Sequence, residues 1–218
     1  AIGFLQTRFE LSPAMTGWAA SSAIWGCVFG AMFAGYLSDR FGRKKILLLT
    51  AVLFAGSSIA SALPENLTQF VLARFIGGLG VGAASILSPL YISEISPARI
   101  RGTLVTLYQV AIVVGINLIY IINYFIAGMG DETWNVNTGW RYMMGSEVVP
   151  SAIFFFLLLM VPESPRWLAK KGKEKPAADI LNKINGEIKG AEILREINDT
   201  LHEEKGTFAE LFKPGLRK

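Results

Sequence analysis

The sequence predicts an all-α polytopic membrane protein, and three observations support this fold class. Hydrophobic residues make up 52% of the 218 positions, whereas charged residues make up 17%, against roughly 25% in an average soluble domain. The apolar residues form runs long enough to cross a bilayer core, which takes about 20 residues of helix. The charged residues lie mostly in short segments between these runs and in the last quarter of the chain.

Five apolar runs qualify as complete membrane spans. They are Pro13–Leu37, Lys45–Leu63, Leu67–Ile92, Gly102–Ala127 and Gly139–Val161. Ala1–Leu5 is apolar but too short to span, so it is interpreted as the end of an earlier helix and the chain as a fragment. Residues 1–161 therefore form the predicted transmembrane region, and residues 162–218 have the composition of a soluble segment with helical spacing of its apolar positions.

Positive charges are distributed unequally between the two sides of the predicted bundle. Eleven Lys and Arg residues fall within loops 38–45 and 94–101 or within residues 166–175 after the fifth span, whereas the opposite connections hold Arg8, with Arg141 just inside the fifth span. Cytoplasmic loops of membrane proteins are enriched in Lys and Arg, so both loops and segment 162–218 are predicted to be cytoplasmic. The predicted location is the inner (cytoplasmic) cell membrane, in a multi-pass arrangement.

Several functional classes find no support in the residues. The net charge of +4 is not accompanied by a basic patch that alternates with aromatic residues, so no nucleic-acid partner is predicted. Cys27 is the one cysteine, which gives no basis for a disulfide or a cysteine metal cluster. The residues contain no Ser/His/Asp set, paired active-site carboxylates or metal-ligand spacing, so no enzymatic activity, metal or cofactor is predicted.

The segment GYLSDRFGRKK (Gly35–Lys45) places one acid among four basic residues between the first and second spans. A carboxylate at the C-terminal end of a helix lies at the negative end of the macrodipole, so Asp39 is expected to be paired. Gly35 and Gly42 are expected to allow a tight turn and close helix approach. A solvated turn with ordinary flanking charges is the alternative.

Glycines recur inside the first and third spans. Gly78, Gly80 and Gly82 follow no strand and lie within an apolar run, so a phosphate-binding loop is not indicated. Together with Gly26, Gly30 and Ala34, they are interpreted as small residues that let two helices approach closely.

Three motifs in order resemble the sugar porter family of the major facilitator superfamily. They are GYLSDRFGRKK, RFIGGLGVGAASILSPLYISEISPARIRG (Arg74–Gly102) and PESPRWL (Pro162–Leu168). The resemblance covers essentially the whole chain, and the run from Tyr108 to Trp140 is most similar to bacterial xylose–proton symporters. It implies that the spans are helices two to six of a twelve-helix transporter, in its N-terminal six-helix half, followed by cytosolic linker helices.

The same resemblance implies a function and a set of partners. Transporters of this fold bind substrate near the bilayer midplane between two six-helix halves, so the expected partners are a monosaccharide, protons, the lipid bilayer and the missing C-terminal half. The implied function is secondary-active transport of a pentose or hexose by alternating access, in symport with protons. A facilitative sugar or polyol uniporter and a non-transporting sugar sensor remain alternatives.

Residues on the fourth span are candidates for the sugar site. Gln109, Ile112 and Ile116 recur at offsets of three or four and share one helix face. Gln109 lies about 12 Å into the membrane at 1.5 Å per residue, where it must face a cavity or another helix. The resemblance implies that it binds sugar, with side contacts from the two isoleucines. Ile116 and Asn117 stand where related xylose symporters carry a glutamine, which leaves the particular sugar open.

Arg74 and Glu147 are charged residues inside predicted spans, each about 10–12 Å from the outer end. Charges at such depth are functional candidates. The resemblance implies that both take part in proton coupling with an aspartate of helix one, which would precede Ala1. A static ion pair is the alternative.

The resemblance also implies a cytoplasmic gate, a charged network that holds the two halves together in the outward-facing state. A purely structural rim is the alternative. The six gate residues are Asp39, Arg43, Glu94, Arg101, Glu163 and Arg166.

Overall fold

The computed structural model describes residues 2–203, and these residues form helices and connecting turns without a β-strand. The chain divides between Pro162 and Glu163 into two units. Five segments of the first unit are long and apolar enough to cross a membrane. The predicted all-α polytopic fold class is therefore confirmed.

Four of these segments are single helices, and a shorter helix, α1 (Ile2–Arg8), precedes them. The four are α2 (Pro13–Phe41), α3 (Arg43–Ala62), α4 (Leu67–Ile95) and α5 (Arg101–Ala127). The N-terminus of α2 is capped by the Ser12 side chain, which accepts a hydrogen bond from the Met15 amide at 3.3 Å. Asn66 caps α4 in the same way through the Gln69 amide at 3.0 Å.

The charged residues of GYLSDRFGRKK continue the helices beyond the predicted span ends. Gly42 alone separates α2 from α3, with φ of 107°, a backbone conformation that L side chains rarely adopt. The expected turn at Gly42 is thus confirmed. At Gly35 the described residues show no close approach, since a Cβ there would meet nothing within 4 Å among them.

The fifth span is predicted over Gly139–Val161 and extends over Glu132–Met160 in the structure. It contains α6 (Glu132–Trp134), a π-helical turn (Asn135–Gly139), α7 (Trp140–Gly145) and α8 (Val148–Met160). It begins earlier because the Asp131 carboxylate accepts from the Trp134 amide at 2.7 Å and caps the first turn. Residues 146 and 147 keep helical dihedral angles, but the regular hydrogen bonding lapses there because Pro150 has no N–H to donate to the Ser146 carbonyl.

Close contact between α2 and α4 depends on glycine. A Cβ at Gly26 would overlap the carbonyl oxygen of Phe75, and one at Gly82 would overlap that of Cys27. A Cβ at Gly30 or Gly78 would likewise overlap a backbone carbonyl of the facing helix. The interpretation of these glycines as close-packing residues is confirmed.

Two apolar clusters hold the first unit together. One lies among α2, α3, α4 and α8, and the other joins α1, α2, α4 and α7 around Phe70 and Trp140, which are fully buried. Helix α5 takes little part in either, since Ile126 is its one buried residue. The face of α5 that carries the candidate sugar residues is therefore exposed within this unit.

The second unit contains three helices within the described residues. They are α9 (Pro165–Lys170), α10 (Glu174–Asn185) and α11 (Glu187–Glu203). Trp167, Leu168 and Ala177 are buried together, with Leu194, Ile197 and others packed against them. The apolar positions of α10 and α11 thus follow the helical spacing read from the sequence. Residues 204–218 of the predicted 162–218 segment lie outside the described residues.

Candidate functional site

The structure brings Arg74 and Glu147 together inside the first unit. Arg74 lies on α4, and Glu147 lies between the end of α7 and the start of α8. The Arg74 Nη1 and Glu147 Oε2 atoms are 3.9 Å apart, and the two side chains keep 32% and 43% of their exposure. The pair is long and only partly buried. The carboxylate and the guanidinium therefore make only a loose contact.

A cavity of about 320 Å³ adjoins this pair. It is bounded by α2, α3, α4 and α8, and it includes the hydroxyls of Ser57 and Ser151. The Ser151 Oγ donates to the Glu147 carbonyl oxygen at 2.7 Å, and the Ser57 Oγ donates to the Ala73 carbonyl oxygen at 2.8 Å. The two charged groups are thus accessible to a small polar species through a space lined partly by hydroxyls.

The candidate sugar residues lie on α5 as expected. Gln109, Ile112 and Ile116 are exposed, and Ile112 also lines a second cavity of about 430 Å³. The Asn117 Nδ2 donates to the Val113 carbonyl oxygen at 2.8 Å, so this amide group bonds to its own helix. Sugar binding by these four residues stays a prediction.

Arg43 is the centre of the charged group at the junction of α2, α3 and α4. Its Nη1 donates to Asp39 Oδ1 at 2.6 Å and to the Ser38 carbonyl at 3.1 Å. Its Nε and Nη2 donate to the two carboxylate oxygens of Glu94, each at 3.1 Å. Asp39 is therefore paired, as the sequence predicts, and one guanidinium joins three helices.

Arg101, Glu163 and Arg166 are the remaining candidate gate residues. The Arg101 Nη2 donates to the Ser96 carbonyl oxygen at 3.3 Å. Glu163 and Arg166 belong to the second unit, where Glu163 Oε1 accepts from the Ser164 amide at 2.9 Å. A gate role for all six residues stays a prediction.

Sequence reasoning missed a structural role for Arg141, which it treated only as a topological charge. The Arg141 Nη1 donates to the Ala62 carbonyl at 2.8 Å, and Nη2 donates to the Pro64 carbonyl at 3.2 Å. Its guanidinium lies 4.6 Å from the centre of the Trp140 ring. The last carbonyls of a helix lack partners within the helix, so Arg141 supplies donors at the end of α3. Nothing in the local sequence indicates this contact, because it joins residues far apart in the chain.

The helices and the internal charge pair define a class of protein: a polytopic membrane protein that carries a pair of opposite charges within its spans. Residues 6–216 match the family model described as "Sugar (and other) transporter", and the chain belongs to that family. The resemblance to sugar porters read from the sequence is thereby confirmed.

Two relatives with named functions match all or nearly all of this chain. The chain is 51% identical to an arabinose-proton symporter of Bacillus subtilis, with 100% of this chain and 47% of the relative covered. It is 43% identical to a D-xylose-proton symporter of Escherichia coli, with 93% of this chain and 45% of the relative covered. The chain therefore spans about half the length of these relatives.

A solved structure has the same fold. The proton:xylose symporter XylE, a major facilitator superfamily protein bound to 6-bromo-6-deoxy-D-glucose, superimposes with a TM-score of 0.93 at 41% identity. The superposition covers 98% of this chain and 50% of that structure. The fold is thus that of the major facilitator superfamily.

Proposed function

We propose that the full-length protein transports a pentose or hexose across the cytoplasmic membrane by alternating access, in symport with protons. The observation that carries this proposal is the Arg74–Glu147 pair, 3.9 Å apart and beside a cavity within membrane-spanning helices. A charge at such depth is costly and is usually retained for function. The names of the arabinose- and xylose-proton symporters among the relatives support both the substrate class and the coupling.

The proposed coupling site consists of Arg74 and Glu147. A carboxylate that is only partly buried and loosely paired can exchange a proton with the adjoining cavity. Protonation removes the attraction to the arginine, so the two states of the carboxyl group favour different arrangements of the helices around it. This gives the proton gradient a direct means of biasing the conformational cycle.

The proposed sugar site uses the exposed face of α5. A carboxamide such as that of Gln109 both donates to and accepts from sugar hydroxyls, which suits a neutral polyol. Ile112 and Ile116 would supply apolar contact on the same face, with Asn117 beside them. In transporters of this fold the substrate lies between the two halves, so the remaining half of the protein is proposed to cover this face.

The proposed gate is the charged group around Arg43. Asp39, Glu94 and Arg43 would form its fixed part, and Arg101, Glu163 and Arg166 would complete it together with the other half. The loops 38–45 and 94–101 and segment 162–218 would then face the cytoplasm, in agreement with the distribution of positive charge.

Sugar flux through the purified full-length protein in proteoliposomes tests the proposal. We expect arabinose, xylose or glucose to accumulate above its external concentration when the outside is acidic, and a protonophore to abolish the gradient. Equilibration without accumulation would instead identify a uniporter. Binding without any flux would favour a sensor.

A further inference from the structure

Two adjacent serines on α3 bond to the two helices that carry the charge pair. The Ser57 Oγ donates to the carbonyl of Ala73, the residue before Arg74, at 2.8 Å. The Ser58 Oγ donates to the carbonyl of Met144 on α7, shortly before Glu147, at 2.6 Å. Both serines are buried, with 6% and 2% of their surface exposed. One turn of α3 therefore contacts the backbone next to both charged residues.

Helix α7 joins α8 through residues 146–147, where the helical hydrogen bonding is irregular because Pro150 cannot donate to the Ser146 carbonyl. At this point the Val149 amide donates to the Ser146 carbonyl at 3.2 Å, so the bonds on either side of Glu147 depart from the regular helical pattern. The Ser58 hydroxyl of α3 donates to the Met144 carbonyl of α7, and Arg141 of α7 donates to the Ala62 carbonyl of α3. Both hydrogen bonds fix the position of α7 along α3. Of these two, Ser58 acts nearer to Glu147.

The contact of Ser57 is equally constrained by its surroundings. A Cβ added at Gly77 would overlap the Ser57 Oγ, and both residues line the cavity beside the charge pair. Glycine at position 77 therefore leaves the space that the Ser57 hydroxyl occupies when it bonds to α4.

We propose that Ser57 and Ser58 are positioning residues for proton coupling, which hold Arg74 and Glu147 at a defined separation by bonding α4 and α7 to the same turn of α3. The role of the two serines in transport rests on the proposed function. The geometry that it assigns can nevertheless be tested without transport.

The first test is a double-mutant cycle on thermal unfolding of the full-length protein, with Ser58→Ala, Glu147→Gln and the double variant. Neighbouring groups that depend on each other show non-additive effects, whereas independent sites add. We expect the melting-temperature changes to be non-additive. Ser61→Ala is the matched control, since Ser61 is buried on the same helix and its hydroxyl has no hydrogen-bond partner among the described residues. Its cycle with Glu147→Gln should be additive.

The second test compares proton-driven accumulation with counterflow exchange in Ser57→Ala, Ser58→Ala and Gly77→Ala. We expect each variant to lower accumulation about two- to tenfold, the effect of losing one neutral hydrogen bond, with a smaller loss of exchange. Ser61→Ala should change neither activity.

Additive changes in melting temperature, or equal loss of accumulation and exchange, would mean that the two serines make ordinary packing contacts. Either result would overturn the inference. Non-additive cycles in a parent protein that moves no sugar would support the positioning geometry and reject the proposed function. The two failures are therefore distinguishable.

Discussion

Arg43 and Glu94 form a bidentate ion pair, in which Nε and Nη2 of the arginine each lie 3.1 Å from a different carboxylate oxygen. The two side chains retain 8% and 5% of their exposure. The Asp39 side chain, which also contacts Arg43, retains 45%. The acids of this group are therefore not equivalent. Glu94 neutralises a buried cation, whereas Asp39 contacts the same cation from the surface.

This difference predicts unequal effects on stability in the full-length protein. Removing one charge from a buried pair costs about 3–5 kcal/mol, a figure that the remaining Asp39 contact should lower for Glu94→Gln. A partly exposed pair contributes only about 0–1 kcal/mol, so Asp39→Asn should cost less. Thermal unfolding of both variants, with the exposed Lys45→Gln as control, measures the difference. Equal melting temperatures for the two acid variants would contradict this assignment.

The same two variants should shift the conformational balance toward inward-facing states, because each leaves uncompensated positive charge at the proposed gate. A change of 1.4 kcal/mol moves a two-state balance about tenfold. Spin-label distances across the cytoplasmic face should therefore lengthen, more in Glu94→Gln than in Asp39→Asn. Distances equal to those of the parent would make the group a structural rim only.

Gln109→Ala should weaken sugar binding without affecting folding, because the side chain is exposed on α5. Loss of a neutral hydrogen bond costs about 0.5–1.5 kcal/mol, and more when a buried partner is left unpaired. Calorimetry should show an affinity lowered by at least a few-fold. Thr106→Ala is the control, since the Thr106 hydroxyl donates to the Gly102 carbonyl of its own helix. Unchanged affinity in Gln109→Ala would remove it from the sugar site.

Gly26→Ala should destabilise the bundle strongly, because the added Cβ would overlap the Phe75 carbonyl oxygen and separate α2 from α4. Gly56→Ala on α3 is a matched control, since a Cβ there meets nothing within 4 Å. We expect loss of monodisperse protein, or a large fall in melting temperature, for the first variant only. Similar behaviour of the two variants would mean that the close contact of α2 and α4 tolerates a methyl group.

The sequence predicted the helices well because the bilayer imposes a simple requirement on length and polarity. It failed where one local contact decided the outcome. The fifth span begins at Glu132 because Asp131 caps it, and its hydrogen bonding is irregular before α8 because of Pro150. Capping and proline each affect a few backbone groups, which the length and polarity of an apolar run do not specify.

The candidate site was only partly predictable for a different reason. The sequence indicated that Asp39 needs a partner, but the bond between Arg43 and Glu94 joins residues 51 positions apart. The contacts of Arg141 with α3 and of Ser58 with α7 are also long-range. No periodicity or motif encodes such contacts individually, because they depend on how the helices are placed against one another.

Arg74 and Glu147 are proposed to couple sugar movement to protons. The most direct test records external pH while sugar is added to proteoliposomes of the full-length parent, Glu147→Gln and Arg74→Leu. We predict alkalinisation outside the parent vesicles on sugar addition and none with Glu147→Gln or Arg74→Leu, although both variants still exchange sugar in counterflow. Sugar entry without alkalinisation in the parent, or alkalinisation unchanged in Glu147→Gln, would contradict the account.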